Sequence, residues 1–332
     1  MPTVSVIICA YTEDRWAQLV KCAASVGAQT LPPIEIIVCI DHNAALLAKS
    51  EAFFAKDRSA GPIPVVVVAN KYGGRLGSAR NTAAELARGA VLAFIDDDAA
   101  AAPDWLERLI APYAGGENFA AVGGAPLPVF EVRRPRWFPY EFDWVFGCAY
   151  TGLPLTRAPL AHLIGANMSV RRSALQEIGG FHSDDHDDMD MCHRIAFANY
   201  TVLYEPRAVV HHFVPAGRTT WRYFRRRCYL VNRGKVEAFA NMREAAHLGA
   251  EVGFVMRIAT KSVPAEVRQA IRGDPAGFSR AGAMMAGVTL AGAGHLAGRL
   301  RLYRKRRRTA GAGRAAAPIA AVPIATARRE IP

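Results

Sequence analysis

Residues 93–105, AFIDDDAAAAPDW, place three consecutive aspartates directly after a short apolar run. Like charges this close repel, so cations or solvent must surround them. Asp96 and Asp98, separated by one residue at a strand end, can both reach a hard divalent cation such as Mn²⁺ or Mg²⁺. Such ions prefer oxygen ligands and complete their shells with substrate phosphates. The competing reading is a polar turn leading into an Ala-rich helix. A second acidic run, SDDHDDMDMCHR at 183–194, sets Asp187 and Asp188 at the start of a helical pattern. Carboxylates there complement the helix dipole, and one of them can also act as general base toward an acceptor hydroxyl. Asp190 and Arg194 are four apart, which suits an intrahelical pair. His211 and His212 follow a strand-like run, and neutral imidazole is a good ligand for Mn²⁺-type ions. The turn GGRLGSARN at 73–81 opens a helix and can hold phosphate at its N-terminus. It matches neither the P-loop nor the dinucleotide fingerprint.

Something must position these groups, and the first hundred residues supply it. VSVIICAY, IEIIVCID, PVVVVAN and AVLAFIDDD are apolar, β-branched runs of the kind buried on both sheet faces. Helical patterns over Trp16–Ala28, Ala44–Lys56 and Gly77–Arg88 separate them, and Pro103 opens a fourth helix. Repeated β-α units predict a doubly wound parallel sheet. Ligands gather outside the carboxyl ends of such strands. The residues at those ends are Tyr11, Asp41, Asn70 and Asp96–Asp98. From about residue 120 the rhythm changes. PLPVFEVRRPRWFPYEFDWVFGCAYTGLP predicts a long irregular loop, and long loops in compact proteins are usually functional. After it come a strand, a short helix and a Gly-Gly stop in HLIGANMSVRRSALQEIGGF, then a helix over DDMDMCHRIAFANY. Two short strands, YTVLYEP and AVVHHF, precede a basic aromatic helix, WRYFRRRCYLVNRGKVEAFA.

With 332 residues and 51% hydrophobic content, the chain can bury a sizeable core. The formal charge of +12 is local: residues 218–235 and 299–308 each hold seven Arg or Lys and no acid. Without those fourteen the rest is close to neutral, which implies local anionic partners. The six cysteines show no metal-ligand spacing and suit a reducing cytosol. MPTVSVIICAY lacks the basic start and cleavage site of a signal peptide. The apolar stretch 281–298 is short for a membrane span, but a polybasic segment follows it. That order predicts a peripheral membrane contact through 281–308. An Ala/Pro-rich end, 309–332, predicts a disordered tail.

In series, VSVIICAYTEDR, EIIVCID, GSARNTAAELARGAVLAFIDDDAAAAPDWL, GANMSVRRSALQEIGGF, DDMDMCHR and VVHHF followed by the Trp/Arg helix resemble the inverting family 2 glycosyltransferases with the GT-A fold. EFDWVFGCAYTGLP is in addition similar to a subgroup acting on polyprenyl- or dolichyl-phosphate-linked sugars. The resemblance implies a mixed, mainly parallel α/β sheet with flanking helices and a C-terminal helical extension. It assigns 1–118 to the nucleotide-sugar half, 119–240 to the acceptor and catalytic half, and 241–308 to the extension. Tyr11 would stack on the base and Asp41 would read its edge, with Arg80 on the nucleotide side. Asp98 would hold the metal and Asp96 would face the ribose or share the metal, with Asp97 grouped among the donor-binding residues. His211 would lie near the metal, and Asn167 and Met168 would line the donor-acceptor pocket. Asp188 would be the base, although Asp187 stands where the family usually has Glu. The implied reaction moves a sugar from a nucleotide donor, UDP-linked, to a lipid-linked or cell-surface glycan at the cytoplasmic face of the cell membrane. Nucleic acid is not an expected partner. The rival readings are a metal-dependent nucleotidyl- or phosphotransferase, and a non-catalytic basic protein that binds anionic lipid or nucleic acid.

Overall fold

The computed structural model describes residues 1–56, 61–115, 118–182, 186–238 and 249–311. Its first half follows the alternating pattern: β1 (Val4–Ala10), α1 (Trp16–Gly27), β2 (Glu35–Ile40), α2 (Ala44–Phe54), β3 (Val65–Ala69), α3 (Leu76–Leu86) and β4 (Val91–Asp96). The strands β3-β2-β1-β4 pair in parallel. Successive side chains of β1 enter different cores. Val4, Val6, Ile8 and Ala10 pack on the α1 face, and Ile7 packs on the α3 face. This two-sided burial is why the strand shows no polar alternation.

A short β5 (Ala99–Ala101) and α4 (Trp105–Ile110) follow, then β6 (Phe119–Phe130), β7 (Ala158–Pro159), β8 (Asn167–Arg171), α5 (Arg172–Glu177), α6 (Asp187–Phe197) and β9 (Thr201–Val214). One sheet continues through them in the order β3-β2-β1-β4-β8-β6-β9-β5, with β7 alongside β9. It is mixed, because β8 runs antiparallel to both β4 and β6.

Two expectations change here. Residues 126–130 are the end of β6, paired in register with β9, rather than the start of a loop. Pro126 and Pro128 hid them. Beyond Gly123 the partner β8 no longer covers β6, so prolines can occupy that open side. The Pro126 carbonyl indeed turns outward and accepts from Ala149 N–H. Likewise YTVLYEP and AVVHHF form a single strand, β9. Glu205-Pro206 imitates a turn, but it is a bulge opposite the register shift between Gly123 and Ala125. The buried Glu205 carboxylate pairs there with Arg157 and Arg207.

The C-terminal part contains α7 (Trp221–Ala238), α8 (Gly249–Arg257), α9 (Val263–Ile271) and α10 (Ala276–Gly311). A third core of Phe138, Phe142, Phe146, Phe224 and Met284 ties α7 and α10 to the turn at Tyr140–Phe146. The apolar stretch 281–298 lies inside α10, and its small residues make a helix-helix seam. A Cβ on Gly294 would stand 2.2 Å from the Tyr229 carbonyl oxygen of α7, and one on Gly298 2.8 Å from that of Arg233. No described helix is long and apolar enough to cross a membrane. α10 reaches Gly311, so 309–311 of the expected tail are helical, and 312–332 lie outside the described residues.

Candidate active site

The strand ends converge as the sheet topology requires. Tyr11 follows β1 and is exposed. Asp41, after β2, accepts from Asn70 Nδ2 at 2.8 Å, and its Oδ1 lies 2.6 Å from His42 Nδ1. Asp96 ends β4, and Asp97 and Asp98 form the tight turn into β5.

The three aspartates meet their cations here. Arg15 Nη1 donates to Asp97 Oδ1 at 2.7 Å and to Asp98 Oδ2 at 2.8 Å, while its guanidinium lies 4.7 Å from the Tyr11 ring centroid. Arg218 stands 3.8 Å from Asp98. Burial pushes the Asp97 carboxyl up to about 8 despite Arg15, and its Oδ2 has no hydrogen-bond partner. Asp98 behaves oppositely: burial raises it, but His212, Arg15 and Arg218 together hold it well below the usual carboxylate range.

His212, not His211, faces this cluster. β5 pairs with β9 so that Ala99 lies opposite His212, which turns the His212 ring toward Asp98. Its Nε2 lies 3.0 Å from Asp98 Oδ1 and 4.0 Å from Asp96 Oδ2, and its Nδ1 is 3.4 Å from Cys148 Sγ. His211 occupies the opposite, exposed face of the strand. One ligand atom each from Asp96, Asp98 and His212 lies within 4.8 Å of the others. Two carboxylates and an imidazole fit a divalent ion of the Mn²⁺ type, and the partnerless Asp97 oxygen marks the same turn as short of positive charge.

Asp187 and Asp188 divide their work. The Asp187 carboxylate is buried and takes Arg80 Nη1 at 2.6 Å. Burial raises its pKa to about 6, against the lowering effect of Arg80. Asp188 is less buried, and its carboxylate accepts backbone N–H groups from Gly165 and Met189, both at 2.8 Å. Ser183–Asp185 of the same run lie outside the described residues. Arg80 also donates to the Gly165 carbonyl at 2.8 Å and lies 3.5 Å from Asp96. One guanidinium therefore spans the two acidic groups. Burial opposes its charge, but Asp187 and Asp96 hold it protonated. Replacing it would leave Asp187 buried and uncompensated. Arg80→Met should therefore lower unfolding free energy by about 3 kcal/mol, measurable by chemical denaturation.

The side chains of Asn167 and Met168 are packed inside the protein. Asn167 is fully buried in β8, accepting from Trp105 Nε1 and donating to the Ala208 carbonyl, each at 2.8 Å. Met168 belongs to the core on the α3 face. A polar residue beside a Gly-Ala turn resembles a ligand contact in sequence, but here it braces β8 between α4 and β9. Arg15, Arg218 and Cys148 were not singled out by spacing, whereas both His211 and His212 were.

Residues 5–179 match the family profile described as Glycosyl transferase family 2. The chain belongs to that family. It is 33% identical over 235 residues to a glucosyl-dolichyl phosphate glucuronosyltransferase of Haloferax volcanii, a match covering 67% of this chain and 73% of that protein. It is 26% identical to the succinoglycan biosynthesis protein ExoM of Rhizobium meliloti, covering 80% of this chain and 87% of that one. Among solved structures it is similar to a mannosyltransferase of Pyrobaculum calidifontis determined with GDP-Man and Mn²⁺, at TM-score 0.59 and 20% identity, over 89% of this chain and 87% of that one. The fold is GT-A and the protein is a glycosyltransferase.

Beside the acidic groups, this family 2 chain holds an open-sided cavity of about 500 Å³. Asp188 forms part of its wall, together with Phe142, Trp144, Phe254 and Val288. His162 lines it too, and its Nδ1 has no hydrogen-bond partner. Burial, with Lys235 nearby, pulls the His162 pKa down from 6.5 to about 4. The native state then binds fewer protons than the unfolded chain between those values. Its contribution to stability is present above pH 6.5 and is lost as pH falls through about 4. A His162→Asn variant should lack roughly 3 kcal/mol of this acid-side loss, read as the difference between its pH–stability curve and the parent's.

Proposed function

We propose that the enzyme transfers a sugar, with inversion, from a UDP-sugar to a hydroxyl of a lipid-linked or cell-surface glycan. The observation that carries this is Arg80, which places a candidate base helix and a candidate metal cluster within one guanidinium's reach. Tyr11 stacks on the nucleobase, and Asp41, fixed by Asn70, hydrogen-bonds its edge. A divalent ion held by Asp96, Asp98 and His212 would supply Lewis-acid stabilisation of charge on the departing diphosphate. Arg15 and Arg218 provide fixed positive charge at the same place. Asp188 is the accessible carboxylate of its pair, and its two backbone hydrogen bonds fix its direction. It takes the proton from the acceptor hydroxyl as that oxygen attacks the anomeric carbon from the face opposite the leaving group. Asp187, committed to Arg80, holds the helix N-terminus in place.

The resemblance to a dolichyl-phosphate-sugar enzyme supports a lipid-linked acceptor. Along α10 the exposed Leu296, Leu300 and Tyr303 share one face with basic neighbours at Arg299 and Arg304. That surface suits a peripheral contact with the anionic inner face of the cell membrane. The enzyme should sediment with anionic vesicles at low salt and release at high salt, and Leu296→Ser/Leu300→Ser should weaken this severalfold.

A thermal-shift screen of nucleotide sugars, with and without Mn²⁺ or Mg²⁺, tests the donor. The matching donor at a hundred times its Kd adds about 2.7 kcal/mol and raises Tm by several degrees. Product analysis should find free nucleoside diphosphate and an inverted anomer. Pyrophosphate release, or retention of configuration, would refute the reading.

A further inference from the structure

The cavity beside Asp188 contains a charge that the sugar chemistry described above leaves unused. Most of its lining is aromatic or aliphatic, from the Tyr140–Phe146 turn, α8 and α10. A plain glycan hydroxyl needs no such surface. Two basic residues of α7 also line it. Lys235 faces Glu251 at 3.6 Å. Arg227 forms no hydrogen bond or ion pair among the described residues, and its Nε is closed off from solvent without a partner. Arg227 is half-buried, so its guanidinium, with no carboxylate to neutralise it, stays available to an anion that arrives with the ligand. His162, whose Nδ1 is similarly unpartnered and which is neutral at pH 7, adds a second hydrogen-bonding group.

We infer that this cavity binds the lipid phosphate of the acceptor: Arg227 and His162 take the phosphate, and the chain lies against Phe142, Phe254 and Val288. The inference rests on the sugar-transfer reading for its purpose, since a lipid seated there would bring its sugar hydroxyl to Asp188. Arg227 would then be the residue that distinguishes a phosphate-bearing lipid from a neutral glycan. A guanidinium recognises phosphate through a planar array of donors, which a neutral amide cannot reproduce.

Binding can be measured without turnover, so the test stands apart from the catalytic assignment. Trp144 lies in the wall, and its fluorescence reports occupancy. The full-length enzyme, without donor or metal, is titrated with farnesyl phosphate, farnesol and a lysophosphatidic acid of matched length. Farnesyl phosphate should bind at least tenfold more tightly than farnesol, and Arg227→Gln should abolish that preference while leaving farnesol unchanged. Gly292 lines the cavity, and no atom lies within 4 Å of where its Cβ would stand. Gly292→Trp should therefore fill the space without distorting α10 and remove binding of both isoprenoids. Melting curves confirm that each variant is folded. Lysophosphatidic acid binding well below farnesyl phosphate identifies the lipid as isoprenoid, and binding equal to it identifies any lipid phosphate as the ligand. Equal affinity for farnesyl phosphate and farnesol, a preference that survives Arg227→Gln, or isoprenoid binding that survives Gly292→Trp would each overturn the proposal. Failure here leaves sugar transfer standing, whereas normal turnover by Asp188→Asn would sink the transfer mechanism and leave these affinities unchanged.

Discussion

Asp188→Asn should lower kcat by about a hundredfold to ten-thousandfold, the range for losing a general base, with the donor KM changed by less than about threefold. The substitution is nearly isosteric. An asparagine oxygen can still accept from the Met189 or Gly165 backbone, so the start of α6 keeps its shape. What disappears is the basicity that the proposed transfer uses on the acceptor proton. Asp187→Asn should look different. Its carboxylate balances the buried Arg80, which also stands beside Asp96, so neutralising it should disturb stability and donor affinity together. Steady-state kinetics and melting curves on both variants separate the roles. A silent Asp188→Asn beside an inactive but fully stable Asp187→Asn would reverse the assignment.

The parallel half of the fold was legible because its strands are buried on both faces and its helices begin and end at clear signals. Asp96 and Asp98 were legible for the same reason: a charged run directly after a buried strand can only lie at the sheet's ligand edge. The second half was harder. Pro126, Pro128 and Pro206 are turn formers in sequence, yet an open strand side and a bulge accommodate them within β6 and β9. The partners of the acids were hidden by distance. Arg15 lies 82 positions from Asp97 and Arg80 lies 107 from Asp187, and no periodicity connects residues so far apart. Asn167 was ambiguous for another reason. A buried amide inside a sheet and an amide facing a ligand are the same letter, and only the positions of Trp105 and Ala208 distinguish them. The stretch 281–298 is similar: two of its glycines, Gly294 and Gly298, bring α10 against α7, a packing role that composition alone does not reveal.

Asp98→Ala should lower turnover about a thousandfold, the several kcal/mol that a metal contributes to a developing diphosphate charge, and His212→Ala should weaken Mn²⁺ binding about a hundredfold. His211→Ala should leave Mn²⁺ affinity within about twofold. The contrast follows from strand parity. Val210, His212 and Val214 are buried along β9, whereas His211 faces solvent. Asp98 immediately precedes Ala99, the residue opposite His212, so the register brings carboxylate and imidazole to 3.0 Å. Cys148 Sγ lies against the other ring nitrogen, and the Gly147 backbone at φ +76° passes close to the ring edge, where a Cβ would stand 3.4 Å from Cε1. The ring is therefore confined on both sides and directed toward the acids. Manganese titration followed by electron paramagnetic resonance measures all three variants directly. A loss of affinity in His211→Ala with none in His212→Ala would require β9 to be shifted by one residue, turning each of its side chains to the other face.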